Sequence, residues 1–334
     1  MLIAQILGLS NILGTDNGWP YLFAFVIVPG IVQLLTLWPC PESPRHLLIT
    51  CGKMEAATVA LRKLRGFNIN AAKTIEDELE EMCIERNEHT HLNYVEQPFT
   101  IGKLFTSKSL RWPLVIAIVM QLSQQLSGIN AIFYYSTKTI FTSAGLSPDA
   151  ARFCNIGVGI VMIVMTFVSL LLIDRTGRRT LHLIGLIGMF ISSLLVTLFL
   201  VLIDKNTVQD SDDTNNGTQW MSYISVASTL IFVIFFAIGP GSIPWLITAE
   251  LFSQRSRTLA MSVAVITNWT ANFIVGILFP LMTTFQNGVM EHYALLPFTV
   301  CLALFAVFTY YIVPETKNKT FDQIATLYRM NKKN

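Results

Sequence analysis

Charged side chains are scarce in this sequence. Asp, Glu, Lys and Arg make up only 13% of its 334 residues, whereas 52% are hydrophobic and the mean hydropathy is +0.54. A chain with so few charges cannot cover a surface in contact with water, which excludes an ordinary soluble protein. The composition predicts an all-α polytopic membrane protein with the lipid bilayer as its partner. The net charge of +2 gives no reason to expect nucleic acid as a partner.

Acidic side chains are absent from the interiors of the apolar runs between residues 112 and 313. Asp174 and Glu250 lie at the ends of such runs, and Glu291 lies in a loop. Proton or sodium coupling usually needs an ionisable group inside the membrane, and these runs offer none. The same absence excludes a membrane hydrolase or transferase, and the sequence has no Walker loop for ATP. We therefore predict that the protein is not an enzyme and uses no cofactor.

Cysteine is also rare and shows no metal-binding pattern. The five cysteines form no CxxC pair and no regular spacing with histidine. They are Cys40, Cys51, Cys83, Cys154 and Cys301. We predict that they are reduced structural thiols. The acidic run at 76–81 is predicted to be the solvated side of a helix, so no metal site is expected.

Long apolar runs are what the sequence has instead. A membrane span needs about 20 residues, and residues 19–38 form one with an aromatic residue at each end. Six further spans are predicted at 112–134, 153–173, 181–203, 221–249, 259–282 and 293–313. Residues 1–9 are too short to cross the membrane. They are predicted to be the end of a helix, with a signal peptide as the alternative.

Residues 39–111 differ from the spans because they contain ten basic and ten acidic residues. This composition predicts a soluble insert with two amphipathic helices. Twenty of the 23 Lys and Arg residues lie in this insert, at 175–179, at 255–257 or in the tail, all on one side of the membrane. The bias predicts that the insert and the C-terminus are cytosolic. Asn216-Gly217-Thr218 then lies on the opposite side, and Asn216 is a predicted glycosylation site.

An unusually polar stretch interrupts the first of the six spans. Gln121-Leu122-Ser123-Gln124-Gln125-Leu126-Ser127-Gly128-Ile129-Asn130 concentrates amides and hydroxyls where unpaired polar groups are costly. Farther along, Asn268 and Asn272 share a helical face, and Trp245 follows a glycine- and proline-rich turn. Amides pair with hydroxyls as donors or acceptors and an indole packs flat on a sugar ring, so a cavity for a neutral polyol is predicted. The alternative is that each amide bonds a neighbouring helix.

Glycine and proline predict two breaks in these spans. Gly128 lies within the polar stretch, and Gly239-Pro240-Gly241 together with Pro244 interrupts the span at 221–249. Unwound backbone inside a membrane is tolerated where it lines a cavity, and discontinuous helices mark the binding sites of transporters. A simple kink is the alternative at each break. Gly157 and Gly159 are predicted to allow close packing between helices.

Five motifs resemble those of a known family. They are Pro41-Glu42-Ser43-Pro44-Arg45, Gln124-Gln125-Leu126-Ser127-Gly128-Ile129-Asn130, Asp174-Arg175-x-Gly177-Arg178-Arg179, Gly239-Pro240-Gly241-x-Ile243-Pro244-Trp245 and Pro314-Glu315-Thr316-Lys317. With these motifs in this order, the chain resembles the sugar porters of the major facilitator superfamily, and specifically the facilitative glucose transporters of animals. The resemblance covers essentially the whole chain.

The resemblance implies a division of the chain. Residues 1–38 would be the remnant of an N-terminal half, starting within the fifth of twelve helices. Residues 39–111 would form the family's intracellular helical domain. Residues 112–313 would be the C-terminal six-helix half, and residues 314–334 a cytosolic tail.

The resemblance also implies roles for single residues. Those that would bind the sugar are Gln124, Gln125, Asn130, Trp245 and Asn268. Those that would set the preference for glucose over fructose are Gln121, Leu122 and Ser123. Those that would form a cytosolic gate of ion pairs are Asp174, Arg178, Glu250 and Arg257. Met162 and Ala237 stand where many members have Asn and Glu, which implies one sugar contact fewer and altered gating.

The implied function is uniport of a hexose, most simply glucose, by alternating access across the plasma membrane. Because much of the first half is missing, one alternative is a truncated, non-transporting isoform that modulates a full-length transporter, with a homo-oligomer as a further assembly. Proton-coupled symport is a second alternative, because the family's coupling carboxylate lies in the absent first helix.

Overall fold

The computed structural model describes residues 2–9, 11–15, 17–66, 75–84, 100–107, 109–135, 141, 146–209, 219–252, 254–284 and 293–317. They form two compact units, one made of Met1–Leu9 with Phe99–Asn334 and the other of Ser10–Pro98. In the described part of the chain every regular element is a helix, as predicted. The predicted glycosylation site at Asn216 and most of the predicted tail lie outside the described residues.

The helices are numbered in chain order. They are α1 (Leu2–Leu7), α2 (Trp19–Ala24), α3 (Ile27–Leu37), α4 (Met54–Arg65), α5 (75–84), α6 (Ile101–Thr106), α7 (Arg111–Gln125), α8 (Ile129–Tyr135), α9 (Pro148–Thr176), α10 (Arg178–Gln209), α11 (Gln219–Ile238), α12 (Ile243–Glu250), α13 (Gln254–Thr284) and α14 (Leu296–Ile312).

Six helical stretches in the described residues are long and apolar enough to cross a membrane. They are Trp19–Leu37, Arg111–Phe133, Ala150–Thr176, Arg178–Lys205, Trp220–Glu250 and Ser256–Thr283. Each coincides with a span predicted from the sequence. The seventh predicted span, 293–313, contains a helix of only 17 residues, Leu296–Ile312, which is shorter than expected.

Both predicted helix breaks are present. The first separates α7 from α8, where Gly128 adopts a φ of +86° that strongly favours glycine. A Cβ on Gly128 would also lie 2.9 Å from the ring of Phe298. The second separates α11 from α12 at residues 239–242. The two spans Arg111–Phe133 and Trp220–Glu250 are therefore each made of two helices with a short stretch of irregular backbone between them.

The smaller unit has its own core. Helices α2 and α3 bury none of their residues within it, whereas α4, α5 and a π-helical turn at His46–Thr50 enclose an apolar cluster. That cluster is built around Leu48, Ala57, Leu61 and Ile75. The two amphipathic helices predicted for the insert are thus observed, and Gly66 follows the first with a φ of +77°.

The larger unit has two apolar clusters, one toward each end of the bundle. On the chain of α7 and α8, Met120 belongs to one cluster and Ile129 to the other. On α13, Ala260 and Val275 are divided in the same way. Gln121, Gln124 and Gln125 lie in sequence between Met120 and Ile129, and Asn268 lies between Ala260 and Val275. They therefore form a polar layer across an otherwise apolar bundle.

Glycines bring α10 and α11 into close contact. A Cβ on Gly185 would lie 2.7 Å from the Cα of Gly239 and 2.7 Å from the Cδ of Pro240. A small residue is required here because the opposing atoms belong to backbone and to a proline ring. Of the two glycines predicted to permit close packing on α9, Gly159 faces Gln5 and Leu2 of α1 as predicted. A Cβ on Gly157 would meet no other described part of the chain within 4 Å, so that prediction is wrong.

We predict that Gly185→Leu destabilises the protein by about 3 kcal/mol or prevents folding, because an added side chain must push α10 away from the second break. Thermal unfolding of the purified protein in detergent measures the effect. The control is Gly157→Leu, since the space around Gly157 is open. Equal unfolding temperatures for the two variants would contradict the close approach of α10 and α11.

Candidate functional site

Five amide side chains meet inside the larger unit. Gln121, Gln124 and Gln125 come from the last turns of α7, Asn130 from the start of α8 and Asn268 from the middle of α13. Each residue is between 0% and 7% exposed. We call this group the amide cluster. The sequence therefore identified all five of its members, although they span almost 150 residues of chain.

Asn268 is the centre of the cluster. Its Nδ2 donates hydrogen bonds to Gln121 Oε1 at 2.9 Å and to Gln124 Oε1 at 2.6 Å, while its Oδ1 accepts one from Gln125 Nε2 at 2.9 Å. Both N–H groups of Asn268 are therefore in use. This single side chain fixes three glutamines of α7 against α13.

Gln125 joins the cluster to the first helix break. Its Oε1 accepts hydrogen bonds from Nδ2 of Asn130 and, at 3.3 Å, from Nδ2 of Asn272. Asn130 follows Gly128, and the left-handed backbone of that glycine turns the chain so that Asn130 reaches back to α7. Asn272 is half-buried, so this side of the cluster approaches the surface of the bundle.

Gln124 joins the cluster to the second helix break. Its Nε2 donates to the backbone carbonyls of Pro240 at 2.9 Å and Gly241 at 2.7 Å. These carbonyls lie between α11 and α12, where the helical ladder is interrupted. The two breaks are thus linked through adjacent glutamines of α7.

Gln121 differs from the other amides because its hydrogen-bonding capacity is not filled. Its Oε1 accepts a hydrogen bond from Asn268, but its buried Nε2 has no hydrogen-bond partner among the described residues. A buried donor without a partner costs about 1–3 kcal/mol. Such a group is suited to a polar ligand, because a ligand oxygen would remove that cost.

The remaining residues predicted for the site lie around the cluster. Trp245, in the first turn of α12, and Leu122 are half-buried. Ser123 is buried and donates to the carbonyl of Met120 at 2.7 Å. His182 of α10 was not identified from the sequence. This histidine is fully buried, and its Nε2 lies 3.3 Å from Ser123 Oγ. A lone histidine inside an apolar span was the only available signal.

A cluster of charged side chains lies where α9, α10 and α12 meet. Arg178 Nε lies 3.2 Å from Glu250 Oε1, and Arg178 Nη1 lies 3.5 Å from Asp174 Oδ1. Three of the four residues predicted for the gate therefore form ion pairs with one another. The Asp174 side chain is 82% exposed, so that pair is weak, whereas the other is shielded. The guanidinium of Arg257 donates to the carbonyl of Phe252 at 3.4 Å.

Glu315 is a further member that the sequence did not assign. Its carboxylate accepts hydrogen bonds from the backbone N–H of Arg178 at 2.9 Å and of Arg179 at 3.2 Å. It thereby caps the N-terminus of α10, where orphan N–H groups and the helix dipole favour a negative charge. Gly177 permits this approach, because a Cβ there would lie 2.7 Å from Glu315 Oε2. Glu315 belongs to the motif Pro314-Glu315-Thr316-Lys317, but the sequence alone predicted no role for it.

We predict that Glu315→Ala lowers the free energy of unfolding by about 1 kcal/mol, because the first N–H groups of α10 lose their acceptor. Glu315→Gln keeps one neutral acceptor and should lose less. Thermal unfolding in detergent measures both. Glu76→Ala, on the exposed side of α5, is the control and should have no effect. A wild-type unfolding temperature for Glu315→Ala would contradict the capping role.

The spans and the buried amide cluster define a class of protein: a polytopic helical membrane protein with a polar site between its helices. Similar structures have been solved. The proton:xylose symporter XylE bound to 6-bromo-6-deoxy-D-glucose is 29% identical, with a TM-score of 0.68 over 98% of this chain and 62% of that one. The inward open conformation of the xylose transporter XylE from E. coli is 26% identical, with a TM-score of 0.64 over 98% of this chain and 62% of that one.

The chain belongs to the sugar transporter family, whose model, described as "Sugar (and other) transporter", matches residues 1–328. This family consists of transporters and not of enzymes. The facilitated glucose transporter member 1 of Gallus gallus is 45% identical over 329 residues, 98% of this chain and 61% of that protein. The facilitated glucose transporter member 4 of Mus musculus is 44% identical over 329 residues, which are 98% of this chain and 59% of that protein. The chain thus spans about 61% of the length of such relatives.

Proposed function

We propose that this chain carries the C-terminal hexose site of a facilitative transporter, which moves glucose down its gradient through the plasma membrane. The observation that carries the proposal is the amide cluster, with its unfilled donor on Gln121. Two of the compared relatives are facilitated glucose transporters.

The chemistry of the cluster favours a neutral sugar over an ion. Five buried amides supply donors and acceptors but no net charge, so they pair with hydroxyl groups of either polarity. An anionic or cationic substrate would need a compensating charge at this depth. Trp245, next to the second break, offers an apolar ring face of the kind that packs on the C–H side of a hexose.

The two breaks favour a mechanism of alternating access. In transporters, discontinuous helices lie at the binding site and allow one part of a helix to move without the other. Here α8 and α12 are short segments that begin at the amide cluster. Closure of the ion pairs around Arg178 would hold one such state, on the side predicted to be cytosolic.

A non-transporting role is the second candidate, because the chain spans about 61% of the length of its relatives. In that case the chain would modulate a full-length transporter. Proton symport is a third candidate, since XylE is a proton:xylose symporter. The apolar runs between residues 112 and 313 have no Asp or Glu in their interiors, so these residues offer no group for proton coupling. The carboxylate that couples protons in this family would lie in its first helix, so the choice between uniport and symport depends on the uptake measurement.

Uptake by the reconstituted chain separates these candidates. We expect purified protein in liposomes to take up D-glucose faster than L-glucose, because a site of oriented amides distinguishes the positions of hydroxyl groups. Uptake should not change when the pH gradient is collapsed. Equal uptake of the two enantiomers would exclude transport by this chain, and uptake that depends on the pH gradient would favour the symporter.

We predict that Gln125→Leu weakens glucose binding about 10- to 100-fold, because Asn130, Asn272 and Asn268 lose their common partner and a sugar hydroxyl is left unpaired. Binding of radiolabelled D-glucose to protein in detergent measures the effect. Thr229→Val is the matched control, since Thr229 is buried and its hydroxyl donates to the carbonyl of Ser225 in its own helix. Wild-type affinity for Gln125→Leu in folded protein would refute the site.

A further inference from the structure

At the second helix break, the sequence prevents one backbone hydrogen bond from forming. Ile243 N–H donates to Gly239 O at 3.2 Å and Leu246 N–H to Ser242 O at 3.4 Å, both with helical spacing. The same spacing would pair residue 244 with the carbonyl of Pro240. Residue 244 is proline and has no N–H. The carbonyl of Pro240 therefore needs a donor from elsewhere, since an unpaired carbonyl inside the membrane is costly.

Gln124 supplies that donor. Its Nε2 bonds Pro240 O and also Gly241 O, so both hydrogens of the amide are occupied by backbone. Its Oε1 accepts from Asn268. Both N–H groups of Gln124 are thus occupied, whereas Gln121 Nε2, about one helical turn earlier, has no hydrogen-bond partner in the described part of the chain. The two side chains therefore have different hydrogen-bonding roles, although both are glutamines on the same helix.

The segment held by Gln124 extends to the ion pairs. Helix α12 has only eight residues, with the break at its start and Glu250 as its last residue. Glu250 pairs with Arg178 at 3.2 Å. A change at the start of α12 therefore acts on a short rigid element whose other end belongs to the gate.

We propose that Gln124 is a positioning residue: it replaces the backbone donor that Pro244 lacks, and so holds α12 between the amide cluster and the Arg178–Glu250 ion pair. The part of this inference that concerns transport rests on the proposed function. The role of Gln124 in holding α12 does not. A ligand that accepts a hydrogen bond from Gln124 Nε2 must displace the carbonyl of Pro240 or Gly241. Occupation of the site is then coupled to the position of α12 and to the gate.

Hydrogen exchange of the full chain in nanodiscs, without sugar, tests the proposal. We expect Gln124→Leu to raise the exchange rates of the backbone amides in 241–250 about tenfold, because the segment loses its anchor to α7. The matched variant is Gln121→Leu, which removes an amide of the same helix and the same cluster but no contact to the break. Its exchange in 241–250 should equal that of the wild type. Because sugar is absent, failure of the proposed function does not affect the result.

A rescue experiment separates positioning from general destabilisation. In the double variant Gln124→Leu/Pro244→Ala, residue 244 regains an N–H that can serve the carbonyl of Pro240, so protection of 241–250 should return toward that of the wild type. The proposal is overturned if Gln124→Leu leaves the exchange of 241–250 unchanged, or if Gln121→Leu raises it equally. It is also overturned if the double variant is as unprotected as the single one.

Discussion

The structure of the larger unit depends on one constraint: polar groups buried among apolar helices must bond one another. The amide cluster meets it through Asn268, whose side chain is shared by Gln121, Gln124 and Gln125. Apolar clusters lie on both sides of this layer, so water offers little competition for these bonds. The polar layer thereby fixes the register of α7 against α13, which apolar packing alone would specify less tightly.

The helix breaks follow from the same constraint. A continuous helix satisfies its own backbone, whereas a break inside a membrane releases carbonyls that need partners. Gly128 makes the first break possible by its left-handed backbone, and it places Asn130 within reach of Gln125. The second break requires an external donor because of Pro244, and Gln124 supplies it. The side chains of the cluster and the irregular backbone therefore stabilise each other.

Much of this arrangement could be predicted from the sequence, for physical reasons. Long apolar runs, isolated glycines and prolines, and amides in an apolar segment are local signals, and they located the spans, both breaks and the five cluster residues. Partners could not be predicted in the same way, because they depend on packing between distant segments. The contact of Ser123 with His182 and the capping of α10 by Glu315 are examples. Gly157 shows the reverse error, since a glycine in a helix does not reveal what faces it.

The hydrogen bonds within the cluster also bear on how tightly it can hold a ligand. A sugar hydroxyl that enters would exchange amide–amide bonds for amide–hydroxyl bonds, and such exchanges are nearly neutral in free energy. The gain that remains comes from groups with no partner, above all Gln121 Nε2. Strong binding would slow release on the far side of the membrane, whereas a preformed and mostly satisfied site gives modest affinity with selectivity. In the proposed carrier, hydrogen bonds among the amides would therefore limit the affinity for sugar while they keep the amide groups oriented.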